Sequence, residues 1–295
     1  MKIIRSDVLG FCMGVCRAVD CVQKAVDENE KSGRAAKLFT MGPLIHNPGV
    51  LKKMGEQGVG ILKDEALDNL EAGSVVVIRA HGVPPEIYEK LRQKKAVIKD
   101  STCPRVKVSQ RRAEEYSKKG YKVILAGDGG HGEVLGIAGF AGKNFLLVKN
   151  KEEAENLFSK DIKEGRPMPE KVILLAQTTF SPGEFTSIAE ILKNKIPWIE
   201  VFNTICSATQ ERQDALTKLC SQVDGVLVVG GKNSANTQRL FLKAKNMCAH
   251  AALVENPEEI PEDFYLLETV GITAGASTPD EMIDAVEDRL SKRTS

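Results

Sequence analysis

The chain has 295 residues, 42% hydrophobic, 27% charged and only 5% aromatic, a balance that excludes a disordered or fibrous protein and leaves enough apolar material for a sizeable core. A formal net charge of +1 removes any global electrostatic attraction to nucleic acid. The opening "MKIIRSDVLGFCMGVCRAVD" is interrupted by Arg17 and Asp20 before it reaches signal-peptide length, and no later run approaches the roughly 18 apolar residues of a membrane span, so a cytoplasmic protein with no membrane partner is expected.

From the N-terminus, the short run "IIRSDVL" stops at Cys12 and resumes as "MGVCRAVDCVQKAV", where Val15, Val19, Val22 and Val26 mark one helical stripe. "KLFTMGPLIHNPGVLKKM" is a looser strand, loop and helix around His46. "VVVIRAHGVPPEIYEKL" repeats the pattern around His81, "AVIKDSTCPRVKVSQRRAEEY" around Cys103, and "KVILAGDGGHGEVLGIA" around His131 and Glu133. Then come "KVILLAQTTFSPGEFTSIAEIL" with Gln177 and Thr178, and "WIEVFNTICSATQERQDALTKL" with Cys206. "GVLVVGGKNSANTQRLFLKA" with Ser234 and Asn236, and "VGITAGASTPDEMIDAVEDRL" with Ser277, complete the series. Each is the strand-loop-helix unit of a parallel sheet, with polar groups at the strand's carboxyl end, where open α/β sheets bind ligands beside helix N-termini. The charge- and proline-rich "FSKDIKEGRPMPEK" and "NPEEIPED" are expected as surface loops.

One cysteine unit is followed by two polar-loop units, three times over. Cys12 and Cys103 are 91 positions apart, and Cys103 and Cys206 are 103 apart. The repeat is therefore a lobe of roughly a hundred residues. The expected fold is α/β, three similar lobes spanning residues 1–102, 103–204 and 205–295.

Seven cysteines without an export signal point to metal ligation, catalysis or burial rather than to disulfides, and an odd number cannot all pair within one chain. If three equivalent lobes point their strand ends at a common centre, Cys12, Cys103 and Cys206 converge there. Three thiolates plus water would make an open zinc site, although such sites more often use histidine or carboxylate. With iron and sulfide, three thiolates hold three irons of a [4Fe-4S] cube and leave the fourth open, as a Lewis acid that can also pass electrons. Cys16 and Cys21 do not complete a C-x3-C-x2-C motif, because residue 19 is Val19, and both are assigned to helix packing. Cys220 and Cys248 lie in apolar helical contexts and read as small buried hydrophobes.

With these residues in place, the chain closely resembles the 4-hydroxy-3-methylbut-2-enyl diphosphate reductase (LytB) family over nearly its whole length. The resemblance rests on "GFCMGVCRAV", "GPLIHNPGV", "RAHGVPP", "DSTCPRV", "GHGEVLG", "QTTFS", "NTICSATQERQ", "GGKNSANTQRL" and "AGASTP", nine motifs in the family's order. It implies a trefoil-like, pseudo-threefold α/β fold around a central [4Fe-4S] cluster with one open iron, Cys12, Cys103 and Cys206 matching its ligands. It also implies reductive removal of the allylic hydroxyl of a small diphosphate, to give isopentenyl and dimethylallyl diphosphate at the end of the non-mevalonate isoprenoid pathway. Where the family often has a second Ser after "NS", this chain has Ala235, so one hydroxyl toward the diphosphate is missing.

On that reading His46, His81 and His131, with Ser234, Asn236 and Ser277, supply donors to the diphosphate. Hydroxide is a poor leaving group, so Glu133 is expected as the general acid, with Thr178 holding the substrate hydroxyl or relaying the proton. Gln177 is a further candidate for orienting Glu133 or the substrate. His250 lacks such a context and reads as structural. No flavin or nicotinamide fingerprint occurs, so an external electron carrier such as ferredoxin or flavodoxin is expected. The competing readings are a non-redox [4Fe-4S] hydro-lyase acting on a phosphorylated or carboxylated metabolite, and a metal-free phosphate-metabolite binding protein.

Overall fold

Short β-branched runs ending in glycine or a polar cluster become the strands, and the periodic stretches after them become helices, most of which have Pro, Ser or Asn at the cap or first position. The computed structural model describes residues 1–33 and 36–292, apart from the side chains of residues 161 and 162. The chain opens with β1 (Lys2–Arg5) and α1 (Met13–Lys31), followed by β2 (Leu38–Met41), α2 (Pro48–Glu56), β3 (Val59–Leu62), β4 (Val75–Ile78), α3 (Pro85–Gln93) and β5 (Val97–Asp100). Next are α4 (Pro104–Lys118), β6 (Lys122–Ala126), α5 (Gly132–Ala141), β7 (Phe145–Val148), α6 (Lys151–Asn156), α7 (Ser159–Lys163), β8 (Val172–Ala176), α8 (Pro182–Lys195) and β9 (Glu200–Val201). The last stretch is α9 (Ser207–Cys220), β10 (Gly225–Val229), α10 (Ala235–Met247), β11 (His250–Val254), β12 (Thr269–Ala274) and α11 (Asp280–Lys292). The two stretches expected as surface loops carry the short α7 and two 3-10 turns, Pro257–Glu259 and Glu262–Leu266.

The strands form three four-stranded parallel sheets, β3-β2-β4-β5, β7-β6-β8-β9 and β11-β10-β12-β1, one per lobe. All three have the same order: the second strand of the lobe, then its first, third and fourth. In the last sheet the fourth place is filled by β1, whose Lys2 to Arg5 pair with Thr269 to Ile272 of β12. The strand leading to each cysteine therefore closes a sheet rather than opening one, and Cys12 follows the sheet that also carries the Ser234 and Ser277 loops. The expected repeat is present, with its phase moved by one strand. The physical signal is the polarity of the edges: β1 and β5 are exposed at both ends, whereas β8 and β10 are buried throughout.

Both faces of the sheets are covered. Along β6 and β8, Ile124 and Leu174 face Phe185, Ile188 and Leu192 of α8, while the alternate residues Val123, Leu125 and Ile173 face Val134 and Ile137 of α5. The same alternation in β10 and β12 puts Leu227 and Ile272 against α11 and Val226 and Val228 against α9 and α10.

By packing, Met1–Val19, Pro43–Gly58 and Ser207–Ser295 form one compact unit, and Asp20–Gly42 with Val59–Cys206 form the other. They are called the first and second unit below. Among the described residues no helix is long and apolar enough to cross a membrane.

Candidate active site

All nine strand-to-helix junctions named from the sequence exist, and the chemistry-bearing residues lie on them. In the second unit Cys103 is the N-cap of α4, with Pro104 at the first helical position and no side-chain capping bond. Its backbone N-H donates to the carbonyl of Ala80 at 2.9 Å, immediately before His81. Cys206, just ahead of α9, donates its N-H to the Thr178 carbonyl at 2.8 Å. Cys12 of the first unit repeats the arrangement, donating to Ala276 at 3.1 Å, immediately before Ser277. In each lobe, then, the cysteine segment is zipped onto the polar loop of the sheet's third strand, independent support for the repeat.

Glu133 stands in the first turn of α5 and is 1% exposed. One carboxylate oxygen accepts from the Thr178 backbone N-H at 2.7 Å and the other from the Thr178 hydroxyl, also at 2.7 Å. Thr178 thus bonds through its carbonyl to Cys206 and through both donors to Glu133. His131 caps α5, its Nδ1 accepting from the Glu133 N-H at 3.2 Å, and its ring meets that of His81 edge to face with centroids 5.1 Å apart. Cys103, His81, His131, Glu133, Thr178 and Cys206 form one connected series within this unit. Gln177 is fully buried beside it, but its Oε1 accepts from the Asp128 N-H at 2.8 Å and its Nε2 donates to Thr179 at 3.0 Å. It braces the loop before His131.

In the first unit the polar loops approach by backbone. Ser277 Oγ donates to the His46 carbonyl at 3.4 Å, and a Cβ on Gly231 would collide with that same carbonyl, so only glycine lets the two chains pass. Ser234 caps α10, accepting from the Thr237 N-H at 3.4 Å. Ala235 is the first helical residue. Asn236 is 5% exposed and its buried Nδ2 has no hydrogen-bond partner among the described residues. A buried unpaired donor is costly, and an anionic ligand at the end of α10 would satisfy it.

The remaining cysteines differ from the sequence reading in one respect. Cys21 is half-buried in α1, where burial raises its thiol pKa, but Cys16 is exposed: the packed face of α1 runs through Val15, Ala18, Val22 and Val26. Position 16 falls one residue beyond Val15 and turns outward by the 100° step of the helix. Cys220 is buried, its thiol pushed up to about 12 by burial and by the hydrogen bond with Cys248, as suits inert packing. His250 lies in β11, paired to Asp263 at 3.0 Å.

Sequence reading missed two arginines. Arg212 is 3% exposed and donates to the Gly10 carbonyl at 2.6 Å and the Ala208 carbonyl at 2.9 Å, tying the loop before Cys12 to the first turn of α9. The signal was present: Thr209, Arg212, Gln213, Leu216 and Leu219 fall on one helical face, so a charge at 212 must be buried. Arg79, at the end of β4, donates from Nε to the Gly82 carbonyl at 3.2 Å.

The family model for LytB protein matches residues 3–291. The 4-hydroxy-3-methylbut-2-enyl diphosphate reductase of Treponema denticola is 46% identical over 294 residues, 98% of this chain and 99% of that protein. The enzyme of the same name from Caldanaerobacter subterraneus subsp. tengcongensis is 39% identical over 293 residues, covering 98% of this chain and 96% of that protein. Among solved structures, the E-1-hydroxy-2-methyl-but-2-enyl-4-diphosphate reductase from Plasmodium falciparum superposes with a TM-score of 0.86 at 27% identity, covering 97% of this chain and 87% of that one. A structure of (E)-4-hydroxy-3-methyl-but-2-enyl diphosphate reductase, described as the terminal enzyme of the non-mevalonate pathway, gives 0.70 at 34% identity over 99% of this chain and all of that one. With motifs, fold and nearly full-length similarity in agreement, this chain belongs to the LytB protein family.

Proposed function

We propose that the chain is a 4-hydroxy-3-methylbut-2-enyl diphosphate reductase, replacing the allylic C–OH of its substrate by C–H with two electrons and two protons and releasing water. The observation that carries this reading is the buried Glu133 carboxylate, bound through both oxygens to Thr178, in a loop that also bonds Cys206. Once protonated, a carboxyl group so placed passes its proton to the Thr178 oxygen while the Thr178 hydroxyl, turned from the Glu133 oxygen it now bonds, donates to the departing oxygen, so that water leaves in place of hydroxide. General acid catalysis of this kind contributes about 10²- to 10⁴-fold.

The protein is an iron-sulfur enzyme, and on our reading a [4Fe-4S] cluster is held by Cys12, Cys103 and Cys206. Their donor chemistry fits. They are soft ligands, half-buried, outside any disulfide, and at equivalent junctions of the three lobes. When bound, the cluster supplies the electrons and a Lewis-acid iron. An external carrier such as ferredoxin or flavodoxin reloads it, in the cytoplasm. His46, His81, His131, Ser234, Asn236 and Ser277 hold the diphosphate. Asn236 offers an N-H with no partner among the described residues, and Ser234 and Asn236 stand at the start of α10, where the helix dipole favours anions. Gln177 acts on this site by bracing the loop ahead of His131.

The test is iron and acid-labile sulfide content of protein purified without oxygen, followed by product assay with and without a low-potential reductant. Stoichiometric iron and sulfide with reductant-dependent formation of isopentenyl and dimethylallyl diphosphate is the expected result. Turnover without reductant would identify a hydro-lyase, and colourless, iron-free protein a metabolite-binding module.

A further inference from the structure

Arg79 interrupts the apolar run that ends β4, and it is partly buried with no carboxylate within salt-bridge distance among the described residues. Burial pushes its pKa down, and Asp64 opposes this through a longer-range field. Such a placement needs a reason, because a partly desolvated cation is costly and an unpaired one more so.

Two glycines make room for the guanidinium, and the carbonyl of a third holds it. A Cβ on Gly132 would lie 3.0 Å from both its Cζ and its Nη2 and 3.2 Å from its Nε, so the planar group rests on the backbone between His131 and Glu133. A Cβ on Gly42, whose φ is +68°, would lie 2.6 Å from Nη1. The Nε-H is fixed on the Gly82 carbonyl at 3.2 Å, in the turn that carries His81. The cation also lies at the N-terminus of α5, the end where a positive charge is disfavoured by the helix dipole, so propensity does not explain it.

We propose that Arg79 is a positioning residue. Its guanidinium is the rigid spacer between the His81 turn and the His131–Glu133 turn, and it sets where the Glu133 carboxylate stands relative to Thr178. The planarity matters, because a flat group is thin enough to fit over Gly132 while its Nε-H holds the opposite turn. Removing it lets the first turn of α5 settle inward. Proton delivery suffers, and the diphosphate donors on the other loops, His46, Ser234, Asn236 and Ser277, keep their places.

This inference rests on Glu133 as the proton donor, so Arg79→Ala and Glu133→Gln are measured side by side on cluster-loaded protein. Arg79→Ala is expected to lower kcat about 10- to 100-fold, since misplacement of about 1 Å costs on the order of 10²-fold, with KM changed less than about threefold. Millimolar guanidinium chloride, but not ammonium chloride, should restore part of kcat. Gly132→Ala should lower kcat in the parent chain and add no further loss in the Arg79→Ala background, because the colliding group is then gone. Normal kcat in Arg79→Ala beside an inactive Glu133→Gln overturns the inference alone, as does a rise in KM with kcat unchanged, which would make Arg79 an anion-binding residue. A loss explained by lower melting temperature, with normal kcat per folded molecule and no guanidinium rescue, reduces it to a packing residue. Normal turnover in Glu133→Gln removes the premise and identifies itself as that failure.

Discussion

The second unit, with Glu133 and Thr178, and the first unit, with Ser234, Asn236 and Ser277, handle polar groups in opposite ways. Glu133 is saturated before any ligand arrives, both oxygens bonded to one residue at 2.7 Å. Asn236 is nearly as buried, yet its Nδ2 has no partner among the described residues. A group that moves a proton must already be aimed when substrate enters, so its partners belong to the protein; a group that binds an anion must leave its donor vacant. Each unit also contains cysteine junctions, Cys103 and Cys206 in the second and Cys12 in the first.

The largest effect should come from the cysteines proposed as cluster ligands. Serine presents a harder, poorly ionised oxygen, so Cys12→Ser, Cys103→Ser and Cys206→Ser should each deplete iron and abolish turnover, while Cys16→Ser, Cys21→Ser, Cys220→Ser and Cys248→Ser should retain both. Iron analysis decides this, and retention of iron in Cys206→Ser with its loss in Cys16→Ser would reverse the assignment.

Next is Glu133→Gln, which separates the saturated region from the vacant one. The amide keeps the size but delivers no proton, and its single oxygen satisfies only one of Thr178's two donors. Turnover should fall about 10²- to 10⁴-fold while substrate still perturbs the spectrum of the oxygen-free protein. Near-normal turnover would move the proton source to Thr178 or water, and failure to bind would make Glu133 a binding group.

Smaller effects are expected from the donors. His46 or His81 replaced by a residue that cannot donate should raise KM for the diphosphate and change turnover of a truncated alcohol less. Equal losses on both substrates would count against diphosphate binding. Asn236→Ala sharpens the comparison most, because its Nδ2 has no hydrogen-bond partner among the described residues. KM should rise about tenfold, equivalent to ~1.4 kcal/mol, without a fall in melting temperature. A clear drop in melting temperature would show that the side chain serves the fold instead.

The linear pattern was a good guide wherever a strand ends in a polar cluster and a helix follows. Cys103 ahead of Pro104, His131 ahead of "GE" and Ser234 ahead of "ANTQ" all occupy N-caps, since capping chemistry is local. Phase was harder. "IIR", "VIKD" and "IEV" carry charges that mark them as edge strands, yet which sheet an edge joins depends on partners far away in the chain, and β1 pairs with a strand more than 260 residues later. Gln177 shows the same limit, because its polarity advertised a site role while its partners, Asp128 and Thr179, are set by packing.

The sequence by itself determined the nine strand-to-helix junctions, the threefold recurrence and the residue types at each strand end, because periodicity, caps and glycine turns act over a few residues. Only the tertiary structure decided that β1 completes the last sheet, that Cys16 faces outward, that Glu133 closes on Thr178, and that Arg79 lies over Gly132. Each of these depends on hydrogen bonds, burial or close approach between segments that only folding brings together, and no local propensity encodes such distances.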